Sequence, residues 1–340
     1  MAAAKNLAAL TSIRFLAALR VAMFHFLDWD TSGYWWRGLM STPSSVSYFF
    51  VSSGFLLTYT YGARFDRDEV PYGKFWLGRA VRLLPVYYLG LLVAFPILLH
   101  THQFSLGKVL LTVFLLQSWD PRTALYWNFP AWALSDLAFC YFTLPFLLRA
   151  TRSLSRDMWF ALAAVAWLIS LTMSLTYLWL NPDGLTHISS ASRAFWLNVL
   201  KYNPIIHIPE FFIGMLAGRL FNKHGAFSNK KSNLTFLLSA AAILIILLWG
   251  YHIPYPVTHT GMLAPLLAVL ICSIASGGLA ARALQAKWFV VLGQSSFALY
   301  MVHAPLWGLI QWASGSEASL EQHREACSVR RDSGRLGRAI

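Results

Sequence analysis

The chain has 340 residues, of which 57% are hydrophobic, 16% aromatic and only 12% charged, and its formal net charge is +13. So much apolar surface excludes a soluble globular protein and defines an all-α, polytopic transmembrane bundle. The basic residues cluster between the apolar runs, where loop topology accounts for them, so nucleic-acid binding is excluded too.

Apolar runs lie near 7–27, 44–62, 83–100, 105–118, 130–148, 158–180, 204–222, 233–251, 262–281 and 288–313. They make about ten hydrophobic segments, most of the length a bilayer requires. Residues 1–314 read as one membrane domain, and 315–340 as a polar tail without apolar periodicity, expected to be disordered. Arg14 and Arg20 interrupt the first run, which therefore reads as a membrane helix and not as a cleaved signal.

The first run carries both Arg14 and His25. Eleven helical residues are three turns plus about 20°, so the two side chains share a face, about 16 Å apart along the axis. A charge near the bilayer centre costs at least about 2.5 kcal/mol, which a bound group or a partner must offset. Snorkelling of Arg14 to the interface is the alternative. His25 is the best general-base candidate, with Asp28 and Asp30 placed to orient its ring.

In the second run, Ser53 and Gly54 allow close approach of a helix or a ligand. Arg79 and Arg82 begin the third; three apart, they share a face and could clamp a phosphate or carboxylate, or simply mark a cytoplasmic helix end. The run 105–118 reaches only about 21 Å against a core of about 30 Å, so it is expected not to cross. With nine crossings and that one short segment, Lys5, Arg64, Arg149, Arg219 and Arg282 all fall on the cytoplasmic side. The N-terminus is then cytoplasmic and the segment after Ser314 external.

Glu210 places a carboxylate near the start of an apolar helix, where it needs a partner such as His207 or one of the arginines, or gains from the helix dipole. Ser296, Tyr300 and His303 form a polar stripe on the last run, which helix-to-helix hydrogen bonding would also explain. Tyr34, Trp35, Trp36, Trp119, Trp127, Trp179 and Trp249 sit at run ends as expected of interface anchors. Cys140, Cys272 and Cys327 form no close pair and no zinc-ligand spacing, so neither a disulfide framework nor a metal site is expected.

Taken together, the chain resembles the acyltransferase-3 family of integral membrane O-acyltransferases. The matching stretches are Leu10–Leu19 running to His25, Phe49–Phe55, Arg79–Arg82 with Leu84–Tyr88, Pro130–Ser135, Pro209–Gly214 and Leu292–Pro305. The resemblance implies transfer of an acyl group, commonly acetyl, from acyl-CoA to a hydroxyl of a glycan or lipid-linked glycan at the outer face of the plasma (inner) membrane. It implies His25 as base or acyl relay, Arg14 as its charged partner, Glu210 as a family carboxylate, and Arg79 with Arg82 on the donor phosphates. Ser53, Ser135, Asp136, Tyr300 and His303 fall in matching pocket motifs, with no bound cofactor and no metal. Relatives place a glutamate where this chain has Leu137, with Asp136 beside it, and add a closing helix that residues 315–340 cannot form. Two other readings follow from the residues: a transporter or flippase for a polar solute, and a truncated, non-catalytic acyltransferase relative.

Overall fold

The structure, a computed structural model, describes residues 2–26, 39, 42–101 and 104–314, with backbone alone for 2–6 and 251. The tail 315–340, Asp28, Asp30, Tyr34, Trp35, Trp36 and Cys327 lie outside the described residues. Those that are described form helices and no strand. In chain order the helices are α1 (Ala2–Phe26), α2 (Pro43–Asp66), α3 (Tyr72–His100), α4 (Leu106–Val113), α5 (Trp132–Thr151), α6 (Arg156–Leu180) and α7 (Phe195–Tyr202). After these come α8 (Pro204–His224), α9 (Asn229–Trp249), α10 (Tyr255–His259), α11 (Ala264–Ser276), α12 (Gly278–Leu284) and α13 (Lys287–Ala313).

Eight stretches among the described residues are long and apolar enough to cross a membrane, where the sequence suggested about ten segments. Two of the ten runs are not among the eight: the second, α2, and the run 105–118, which was expected not to cross. Helix α2 has the length, 24 residues, but carries Ser44, Ser45, Ser47, Ser52 and Ser53, all buried, and is enclosed by its neighbours instead of facing lipid. The run 105–118 yields only the eight-residue α4, about 12 Å long. The Tyr87 and Tyr88 hydroxyls tie it to α3 by donating to the Thr112 and Val113 carbonyls, at 2.5 and 3.2 Å. Helix α3 in turn begins at Tyr72, well before the apolar run at 83, because charged residues lower hydropathy without interrupting a helix. Arg79 and Arg82 therefore lie inside it.

The centre of the bundle is the seam between α2 and α8. A methyl group on Gly54 would fall on the Phe211 carbonyl oxygen, one on Gly214 on the Val51 carbonyl oxygen, and one on Gly218 within 2.9 Å of the Phe55 carbonyl oxygen. Backbone thus meets backbone, which small residues four apart permit. Gly214→Ala is expected to cost about 2 kcal/mol or more, because the obstacle is main chain that cannot give way. Gly78→Ala, where a methyl meets open space, should leave the denaturation midpoint nearly unchanged.

One end of the bundle is basic. Arg219 on α8 is buried and donates to both carboxylate oxygens of Asp66 at 2.9 and 3.0 Å, to the Thr151 hydroxyl at 2.9 Å and to the Leu148 carbonyl. Arg149 and Arg152 approach Asp68 at 4.0 and 3.7 Å, and Lys223 lies over the Trp159 ring. Beside them Arg67 grips Glu69 at the exposed surface and holds its carboxyl below the usual range. The C-terminal ends of α2, α5 and α8 and the start of α6 therefore meet, gathering the charges that the sequence assigns to one side. Trp179 and Trp249 are exposed at the C-terminal ends of α6 and α9, as interface anchors would be. Trp127 turns inward instead, its indole nitrogen donating to the Leu91 carbonyl at 2.9 Å.

Candidate active site

His25 closes α1, and its ring lies 5.5 Å from that of His303 on α13, the two planes stacked at 24°. Phe129 packs edge-on against His25 at 4.7 Å and also borders His303. The His303 ring is buried, and its Nδ1–H donates to the Tyr300 carbonyl at 2.8 Å. In the neutral ring that bond leaves Nε2 as an acceptor, and Nε2 is buried without a hydrogen-bond partner among the described residues. Asn128 fixes the neighbouring turn by donating to the Met301 carbonyl at 3.0 Å. The turn Phe129–Ala131 is thereby locked onto α13, and His25, His303 and Phe129 are held by three separate elements.

A second group lies deeper. His207 on α8 bonds Glu210 through Nδ1 at 3.0 Å and the Lys201 carbonyl through Nε2 at 3.0 Å. A carbonyl only accepts, so Nε2 carries a proton, and a further proton lies between Nδ1 and the Glu210 carboxylate. Asp136 Oδ2 approaches His207 Nε2 at 3.9 Å, and all three side chains are fully buried. Phe50 stacks on the His207 ring at 4.8 Å, while Trp132 and His259 border it. Gly261 makes room for Glu210: its φ of +84° and a methyl position 2.6 Å from Glu210 Cγ both require glycine. Both Asp136 oxygens and Glu210 Oε2 have no hydrogen-bond partner among the described residues.

Tyr300 links the two groups. Its ring is 6.0 Å from that of His303 and 5.5 Å from that of Phe49, the neighbour of the Phe50 stacked on His207. The sequence stripe Tyr300–His303 therefore faces inward, as expected of helix neighbours three apart.

The remaining candidates divide by position. Arg14 donates to the buried Ser53 hydroxyl at 3.1 Å and forms no ion pair among the described residues. Arg79 donates to the Tyr61 hydroxyl at 3.2 Å and lies over the Tyr61 and Phe75 rings, while Arg82 is exposed. The two are on the basic side of the bundle, away from His25. Ser135 serves a turn: its hydroxyl donates to the Leu115 carbonyl at 2.5 Å, where Leu115 has a φ of +59°. A cavity of about 470 Å³ between α6 and α7 is lined chiefly by apolar side chains such as Ile169, Leu180 and Trp196 and includes none of these groups.

Asp136, not position 137, points at His207, and Leu137 packs in the hydrophobic core with 9% of its surface exposed. Leu137→Glu would bury a carboxylate without a partner in that core. We expect it to destabilise the fold by several kcal/mol, read as a lowered denaturation midpoint, and not to raise acyl transfer. His207 entered the sequence reading only as a possible partner of Glu210, and Lys201 and His259 not at all. An isolated lysine within Phe195–Tyr202 was the visible signal.

The chain matches the family model described as an acyltransferase domain, Acyl_transf_3, over residues 7–315, so the bundle is that of a membrane acyltransferase. No curated protein and no solved structure gives a significant match. The chain belongs to the acyltransferase-3 family, and it is a multi-pass membrane protein.

Proposed function

We propose that the protein is an O-acyltransferase that moves an acyl group, commonly acetyl, from acyl-CoA to a hydroxyl of a glycan or lipid-linked glycan. The observation that carries this reading is the His25–His303 pair at one end of the bundle, with His303 fixed in one orientation by Tyr300. A ring nitrogen of His25 takes the proton of the acceptor hydroxyl as its oxygen attacks the thioester carbonyl carbon. The tetrahedral intermediate then breaks its carbon–sulfur bond, and the departing thiolate takes the proton from His25. The products are the ester and free CoA.

The donor enters from the basic end, where Arg79 and Arg82 meet its phosphates and Arg14 supplies a cation along the path toward His25. No bound cofactor is needed, since acyl-CoA is a substrate. We place the basic end in the cytoplasm with the N-terminus, and His25 toward the outer side of the plasma membrane, following the positive-inside bias. Glu210 and Asp136 position His207 and through it the α2–α8 frame; they are not given a proton-transfer step.

The test is release of free CoA thiol by the purified chain in nanodiscs, given acetyl-CoA and a panel of sugar acceptors. Thiol release that depends on an acceptor is the expected result. Acetyl-CoA binding without any thiol release across the panel would overturn the reading in favour of a non-catalytic relative, and solute movement without a donor would favour a carrier.

A further inference from the structure

Arg193 and Lys201 are two cations that share the same acceptors. Arg193 Nη1 donates to the carbonyl oxygens of Ser190 and Ser192 at 2.8 and 3.2 Å. Lys201 Nζ donates to the same two oxygens at 3.0 and 3.2 Å. Lys201 is 1% exposed and lies 5.3 Å from the Tyr202 and Tyr255 ring centres. Neither cation forms an ion pair among the described residues, and Arg193 Nε is buried without a hydrogen-bond partner.

The acid nearest in sequence is already committed. Asp183 accepts from the Tyr177 hydroxyl and from the backbone N–H groups of Trp196 and Leu197, so it caps α7 and leaves both cations without a carboxylate. Two like charges held by one pair of carbonyls repel each other, and desolvation adds to that. An oxyanion between them removes both penalties, and a guanidinium beside an ammonium is suited to phosphate or carboxylate.

Position says which substrate this serves. The 25-residue α6 spans about 37 Å from the basic end to the loop that carries Arg193. Arg193 is thus across the bundle from Arg79 and Arg82 and on the His25 side, where Asn198 of α7 donates to the Pro121 carbonyl at 3.2 Å in the loop that carries Phe129. We propose that Arg193 and Lys201 bind an oxyanion of the acceptor, a diphosphate or a sugar carboxylate, and so hold the acceptor hydroxyl at the His25 end. This rests on the acyltransferase reading for the word acceptor; the anion site itself is independent of it.

The experiment measures the thermal denaturation midpoint of the full chain in phosphatidylcholine nanodiscs, titrated separately with pyrophosphate, glucuronate, glucose and CoA. At least one of the two oxyanions should raise the midpoint where glucose does not, and Arg193→Gln should weaken that binding at least tenfold. Arg122→Gln, an exposed arginine paired with Asp120, should leave it unchanged. Pyrophosphate as the active probe identifies a diphosphate carrier, and glucuronate an acidic sugar. The half-buried Arg193 carries the test, because loss of buried Lys201 could prevent folding. No shift with either oxyanion, or a shift that survives Arg193→Gln, overturns the proposal, as does a CoA shift that Arg193→Gln abolishes. Absence of any CoA shift with oxyanion binding intact would sink the acyl-CoA reading alone.

Discussion

His25→Ala is expected to lower acyl transfer by 10²–10⁴-fold, the usual range for removal of a positioned general base. His25→Phe should do the same while keeping the ring volume between Phe129 and His303, which separates lost chemistry from a packing defect. His303→Asn adds a finer test. The asparagine amide can still donate to the Tyr300 carbonyl as Nδ1–H does, but it removes the acceptor at Nε2. If the Nε2 lone pair orients the acceptor or exchanges a proton with His25, this variant loses turnover although the fold and donor binding persist. Rates are read as CoA thiol release, with CoA binding as the check on folding. Turnover within tenfold of wild type in His25→Phe would remove His25 from the chemistry.

His207→Ala is expected to act on stability more than any other single change in the bundle. It leaves Asp136 and Glu210 buried, close together and without a histidine, and removal of one member of a buried charged group costs about 3–5 kcal/mol. The ring stacked on Phe50 is lost as well. Adding Glu210→Gln to His207→Ala should recover part of the loss, because one uncompensated carboxylate is removed. The measurement is the denaturation midpoint in nanodiscs for the two single variants and the double. Equal midpoints for His207→Ala and the double variant would mean that Glu210 does not depend on His207.

What the sequence made legible was what repeats along a helix. Arg14 and His25 lie on one continuous helix, Tyr300 and His303 share a buried face, and the run at 105–118 is too short to cross. The junction of α2 with α8 was half visible, since Gly54 and the Gly214–Gly218 spacing announce close packing but not their partners. Asp136 with His207 was not legible, because the two stand on different helices and only tertiary packing brings them within 3.9 Å. Helix starts were misplaced for a related reason. Lys74, Arg79 and Arg82 interrupt hydropathy, yet the hydrogen bonding of α3 runs through them.

The glycine seam between α2 and α8 bears on how substrates can enter. Ser53, which holds Arg14, adjoins Gly54, and Glu210 lies one turn before Gly214, so the Arg14 anchor and the His207–Glu210 pair are carried by two backbones in direct contact. Such a contact can neither slide nor widen without losing its fit. The two helices behave as a single mechanical strut, so that no substrate passes between them and the Arg14 anchor and the His207–Glu210 pair keep a fixed separation.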